Sequence, residues 1–163
     1  MLSLDMPLYV ITAKRRGRFD NLSLLTRGLT RGVCRMLTET GFGPITEFRL
    51  PNRRRADVMG LGSGSEFVIV EVKSSVADFR RDIKWRDYLP YCDRFYFAVA
   101  ESFPIHILPD DCGILVADSY GAAIRREAPE QPITTIRRRR QLLRFALTAS
   151  ERLNRLSDPR QHG

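Results

Sequence analysis

Apolar positions recur at helical spacing in LSLLTRGLTRGVCRMLTET, where Leu22, Leu24, Leu25, Leu29, Val33, Met36 and Leu37 form one series. Asp20 or Asn21 is placed to cap that helix, and Gly41 and Gly43 to end it. The period then falls to two. ITEFRL predicts a strand over Ile45–Leu50, Pro51 and Asn52 turn the chain, and a second strand is predicted over Ala56–Leu61. GSGSE (Gly62–Glu66) is a flexible turn, and Phe67–Lys73 makes the third strand, so the two close a hairpin. Ser75 opens a second helix, SVADFRRDIKWRDYL, with Asp78 as its capping-box partner. Val76, Phe79 and Ile83 are its apolar face, and Pro90 closes it. RFYFAVA (Arg94–Ala100) is an apolar strand, so strand, helix and strand predict a right-handed parallel crossover. ILVAD and AAIRRE flank a turn at Ser119, Tyr120 and Gly121. A last helix over Pro132–Ser157 is expected to turn Ile136, Leu143 and Leu147 toward the body.

These elements predict one α/β domain over residues 20–157. A loosely ordered basic segment over 1–19, ending in AKRRGR, precedes it, and a tail over 158–163 follows. The 163 residues suit a single domain, and 43% hydrophobic content suffices for its core. No apolar run approaches the roughly 20 residues of a membrane span. The first residues lack the basic, apolar and small-residue order of a secretory signal. Cys34, Cys92 and Cys112 are odd in number and far apart, against a disulfide framework or zinc ribbon. His106 and His162 are too few for a His-rich metal site. The expected location is a reducing cytoplasm, at the nucleoid when DNA is bound.

The net charge of +8 and pI near 10.0 favour a polyanionic partner, nucleic acid before membrane. Apart from Lys14, Lys73 and Lys84, all 27 basic residues are arginine, the side chain suited to bidentate phosphate contacts. Lys73 is therefore a departure from habit. It stands two residues after Glu71, at the end of a strand of the buried type. If the hairpin is symmetric about Gly64, Asp57 lies opposite Glu71, and Asp57, Glu71 and Lys73 share one face. Like charges facing each other across a sheet repel. A divalent cation between the two carboxylates removes that repulsion, and Mg²⁺ or Mn²⁺ suits such oxygen ligands. Lys73 would then stand beside the metal, to steady water or neutralise charge on phosphate. The alternative is a surface salt-bridge ladder at a strand end. Asp82-Ile83-Lys84 repeats the acid-x-Lys pattern, but inside a predicted helix, where positions two apart do not share a face.

RADVMGLGSGSEFVIVEVK has the D-x(13)-E-x-K form of the PD-(D/E)XK nuclease superfamily, and the predicted order of helix, three strands, helix and strand resembles its restriction-endonuclease-like core. EVKSSVADFRRDIKWRDYLPYCDRFYFAVA and FPIHILPDDCGILVADSYGAAIRREAPE resemble the MmcB-type DNA repair proteins, over about Thr26 to Arg140. The resemblance implies a mixed sheet flanked by helices and a Mg²⁺- or Mn²⁺-dependent DNA nuclease. Asp57, Glu71 and the Val72 carbonyl would be metal ligands and Lys73 the catalytic lysine. Resolvase-like members often carry a further Glu on the first helix; here that region reads Thr30, Arg31, Gly32, and Glu39 lies near the helix end. Residue 56 is Ala where the superfamily often has Pro. A one-metal site is thus implied more firmly than a two-metal site.

Arg53, Arg54 and Arg55, which lead into Asp57, and Arg80, Arg81 and Lys84 on the following helix are expected to contact DNA. Trp85 and Tyr88 are read as packing residues, His106 as structural, and the cysteines as small core residues. Arg137–Arg140 span a full turn, so they cannot all face one partner. The reading of the same fold as a DNA-binding or repair-scaffold module with little or no cleavage stays open. A homodimer and other repair proteins are compatible with either role. No RRM-type stacking motif supports an RNA-binding domain.

Overall fold

The computed structural model describes residues 8–82 and 84–158, with side chains from Asn21 onward. Three helices and six strands follow in the order α1 (Leu8–Glu39), β1 (Phe42–Arg49), β2 (Arg55–Gly62), β3 (Phe67–Lys73), α2 (Val76–Arg81), β4 (Arg94–Val99), β5 (Gly113–Ala117), β6 (Ala122–Arg126) and α3 (Thr135–Ser157). Short 3₁₀ turns occupy Trp85–Tyr91 and Ile105–Ile107. The sheet order is β1-β2-β3-β4-β5-β6, parallel at β3–β4 and β4–β5 and antiparallel elsewhere. This is the mixed sheet flanked by helices, built as helix, three strands, helix and parallel strand, that the sequence predicts.

Alternation along the strands sorts the core into two layers. Val68, Val70 and Val72 of β3 turn toward α1, where Leu29, Val33 and Leu37 pack on them. Phe67 and Ile69 turn the other way, into an aromatic layer with Trp85, Tyr88, Phe95, Phe97 and Phe145. Trp85 stacks on Phe95, with ring centroids 5.2 Å apart. Trp85 and Tyr88 are thus packing residues, as expected, and Cys92 and Cys112 are buried.

Three expectations are corrected. The first helix runs back to Leu8, so Asp20 and Asn21 lie within it and not at its start. The basic segment expected over 1–19 falls partly outside the described residues, as does the tail beyond Asp158. The second helix stops at Arg81 instead of running to Pro90, which sits inside the 3₁₀ turn. Its start holds: the Ser75 hydroxyl accepts the Asp78 N–H at 3.1 Å. Ile83, expected on its apolar face, lies outside the described residues.

The third correction concerns α3. Ile136, Leu143 and Leu147 are 69%, 61% and 64% exposed, and its buried residues are Gln141 and Phe145. Polar groups dock the inner face. Gln141 donates to the Tyr91 carbonyl. Arg138 grips Asp93 with two guanidinium bonds, Nη1 to Oδ2 at 2.8 Å and Nη2 to Oδ1 at 2.6 Å. The same carboxylate accepts the N–H groups of Phe67 at 2.7 Å and Ile133 at 3.1 Å. A buried carboxylate needs that many donors.

Candidate active site

The β2–β3 ladder pairs Val58 with Val70 and Leu61 with Phe67, so the hairpin is symmetric about Gly64. Beyond Val58 the ladder gives way to side chains. The Asp57 N–H donates to Glu71 Oε1 at 3.0 Å, and the Val72 N–H to Asp57 Oδ2 at 2.8 Å. The two acids therefore close the end of the strand pair reciprocally. Each keeps one oxygen outside these bonds, Asp57 Oδ1 and Glu71 Oε2. On the β1 side the ladder skips the position of Asp57, where Glu47 takes φ +49°.

Glu71 and Lys73 are buried, 4% and 6% exposed, and Asp57 is half-buried. Lys73 Nζ lies 3.8 Å from Glu71 Oε2 and 2.6 Å from Asp82 Oδ2. Burial, then the neighbouring Asp57 charge, pushes the Glu71 carboxyl up to about 8, against the relief supplied by the Asp57 N–H and Lys73. Burial also raises Asp57, against the Val72 N–H and Lys73. Burial alone would lower Lys73, but the Asp82 bond and the charges of Glu71, Asp82 and Asp78 outweigh it, and its ammonium is held above its ordinary value. Among the described residues no group of three or more His, Cys, Asp or Glu side chains is arranged to hold a metal ion. The buried Glu71 and the half-buried Asp57 still form a hard-oxygen donor pair that suits one divalent cation.

Asp82 is the partner that sequence reasoning missed. The sequence pattern puts Asp82-Ile83-Lys84 inside a helix, whereas Asp82 is the residue that ends α2, turned to Lys73. The arginines divide. Arg53 (φ +67°), Arg55, Arg80, Arg81 and Lys84 are exposed. Arg54 is engaged by Asp87, with Nη2 to Oδ2 at 2.7 Å, and Asn52 donates to the Asp87 carbonyl, which ties the β1–β2 turn to the 3₁₀ turn. The Tyr88 hydroxyl donates to the Arg55 carbonyl at 3.1 Å, bracing the start of β2. The α1 region without a Glu packs elsewhere. A Cβ on Gly32 would overlap the Asp118 carbonyl oxygen, and Arg31 donates to the Ser119 carbonyl at 2.9 Å. That stretch of α1 docks on the β5–β6 turn.

The sequence model of the DNA repair protein MmcB-like family matches residues 13–160. This chain belongs to the MmcB-like family. The solved structure of a protein of unknown function from Silicibacter pomeroyi is 47% identical to this MmcB-like chain, covers 83% of it and 92% of its own length, and superposes with a TM-score of 0.80. A repair endonuclease from Pyrococcus abyssi shares 23% identity over 41% of this chain and 32% of its own, with a TM-score of 0.30, too slight an overlap to bear on the site. No curated protein matches the MmcB-like chain in sequence. Among its described residues no helix is long and apolar enough to cross a membrane.

Proposed function

We propose that this MmcB-like protein is a divalent-cation-dependent DNA nuclease with Asp57, Glu71 and Lys73 as its working residues. One observation carries the reading. The strand pair ends in two acids, Glu71 buried and Asp57 half-buried, each fixed by the other residue's strand and each with an oxygen outside those bonds, beside a buried lysine. Like charges held together in a dry site cost stability, and a divalent cation shared by the two acids would offset that cost.

Asp57 and Glu71 would hold Mg²⁺ or Mn²⁺, with the Val72 carbonyl as a third protein oxygen. When bound, the cation supplies Lewis acidity toward a phosphate oxygen and a more acidic water. Hydrolysis would add water across the phosphodiester and break one P–O bond. Lys73, steadied by Asp82, keeps further N–H groups to donate to the attacking water or to the phosphate oxygen that gains charge. Arg53, Arg55, Arg80, Arg81 and Lys84, all exposed, would serve as phosphate contacts, which position DNA without reading sequence. A second reading, DNA binding with little cleavage, rests on Lys73 being engaged by Asp82 at 2.6 Å and on there being no group of three acids arranged to hold a metal among the described residues.

Labelled single-stranded, duplex and branched DNA, incubated with the protein and Mg²⁺ or Mn²⁺, separate the two. On the nuclease reading the wild type cleaves at least one substrate, chelator abolishes cleavage, and Lys73→Ala lowers the rate by about 100- to 1000-fold, as loss of one charge-stabilising donor does. Asp57→Ala abolishes it. Salt-sensitive binding without cleavage on every substrate rejects the nuclease and leaves the binding module.

A further inference from the structure

The exposed side of α3 carries a cationic wall that the catalytic reading does not use. Arg137, Arg140 and Arg144 fall three and four residues apart, so they share one helix face. With Pro51 of the β1–β2 turn and Tyr91 they line a groove of about 440 Å³ that no Asp or Glu borders. Arg137 is set in place. Its Nη1 donates to the Pro90 carbonyl at 2.9 Å, and its guanidinium lies over the Tyr91 ring, 5.3 Å from the centroid. Six described arginines are paired: Arg54 with Asp87, Arg55 with Glu47, Arg86 with Asp111, Arg94 with Glu130, Arg126 with Asp110 and Arg138 with Asp93. The three groove arginines enter no ion pair among the described residues. A concave surface with uncompensated charge of one sign concentrates potential for a polyanion.

The spacing fits DNA. Seven residues of helix advance about 10 Å, and phosphates along one DNA strand advance about 3.4 Å per step along the axis, so the three arginines span about three such steps. Pro51, in the groove, is six residues from Asp57, and an extended chain of that length spans at most about 22 Å. The groove thus begins within about six base pairs of the two acids. We infer that the Arg137–Arg140–Arg144 groove is a second DNA contact, a track for the backbone flanking the candidate active site. It rests on the reading of this protein as DNA-binding, and not on cleavage.

The test is fluorescence anisotropy of a short labelled duplex in chelator, between about 50 and 200 mM salt. Wild type is compared with Arg137→Gln/Arg140→Gln/Arg144→Gln and with a control triple, Arg27→Gln/Arg125→Gln/Arg155→Gln, which removes the same charge from exposed positions outside the groove. The groove triple is expected to reduce the slope of log K against log salt by roughly 2–3, the control triple by less than about 1. The Arg140→Gln/Arg144→Gln pair spares the contacts of Arg137 and is expected to reduce it by roughly 2. Equal slopes for the two triples, or a groove triple that binds as wild type does, overturn the groove. Chelator removes cleavage from the measurement. Cleavage by the wild type with unchanged slopes rejects only the groove, and reduced slopes without cleavage on any substrate reject only the nuclease.

Discussion

The grip of Arg138 on Asp93 gives the sharpest stability prediction. The carboxylate is 5% exposed and takes four bonds: two backbone N–H groups and two from Arg138. Arg138→Ala removes the two charge-assisted bonds, each worth about 1.5–3 kcal/mol net, and leaves a buried carboxylate short of donors. Breaking a buried pair from one side costs about 3–5 kcal/mol, a large part of the roughly 5–15 kcal/mol that holds an ordinary domain together. At about 2–4 °C per kcal/mol for a chain of this size, the melting temperature should fall by roughly 10 °C. The pH dependence has a definite sign. Burial would raise Asp93, but the Arg138 bond and the two N–H groups outweigh it and hold the group below its ordinary 3.8. Its contribution is therefore complete above the unfolded-state value and disappears as pH falls through the lower folded-state value. Urea denaturation followed by circular dichroism, on wild type and variant at pH 7 and about pH 3, should show a gap of several kcal/mol at pH 7 that is narrower in acid. A gap under about 1 kcal/mol at pH 7 would reduce the contact to an ordinary surface pair. A gap unchanged down to pH 3 would refute the assigned cause.

The site predicts a conflict between stability and chemistry. Glu71→Gln keeps an amide oxygen for the Asp57 N–H and removes the buried like charge. Since the folded protein resists ionising Glu71 until about pH 8, from an ordinary 4.5, the wild type loses stability across that interval as pH rises. The variant should be more stable by about 1–3 kcal/mol, with an advantage that grows up to pH 8; if Asp57 and Glu71 hold Mg²⁺, the added ion should stabilise the wild type and not the variant. Asp82→Ala leaves Lys73 with Glu71 at 3.8 Å as its ionic partner and should cost about 1–3 kcal/mol in thermal melts; a double-mutant cycle with Lys73→Ala should be strongly non-additive. Gly32→Ala should destabilise by more than about 1 kcal/mol despite the better helix propensity of Ala, because its Cβ meets the backbone of Asp118 and, at 2.5 Å, the Gly121 oxygen. A variant as stable as wild type would show that α1 can back away from the β5–β6 turn.

The hairpin and its pair of acids were legible because period-two alternation and a loop centred on Gly64 leave little freedom of register, and Phe67–Lys73 is bounded as read. Asp82 was not legible. Val76 and Phe79 continue a helical pattern toward Trp85, and nothing local records that the chain leaves the helix where Asp82 meets Lys73 and Trp85 stacks on Phe95. On α3 the apolar count misled. Ile136, Leu143 and Leu147 make a tidy stripe, yet the opposite face is docked by Arg138, Gln141 and Phe145, whose partners Asp93 and Tyr91 are some 45–50 residues away in sequence. Polar anchors at that separation carry no periodicity.

The strictly sequential order of the sheet has a consequence for how the protein assembles. Each strand pairs with the one made just before it, so the sheet can grow as the chain emerges from the ribosome, without waiting for distant segments. Asp57 and Glu71 meet as soon as the β2–β3 hairpin closes. Helix α1 is synthesised first but touches all six strands, so it can cover its face of the sheet only after β6 is in place. Until then the valine-rich face stays open to water, and that interval is when a nascent chain is most exposed to aggregation.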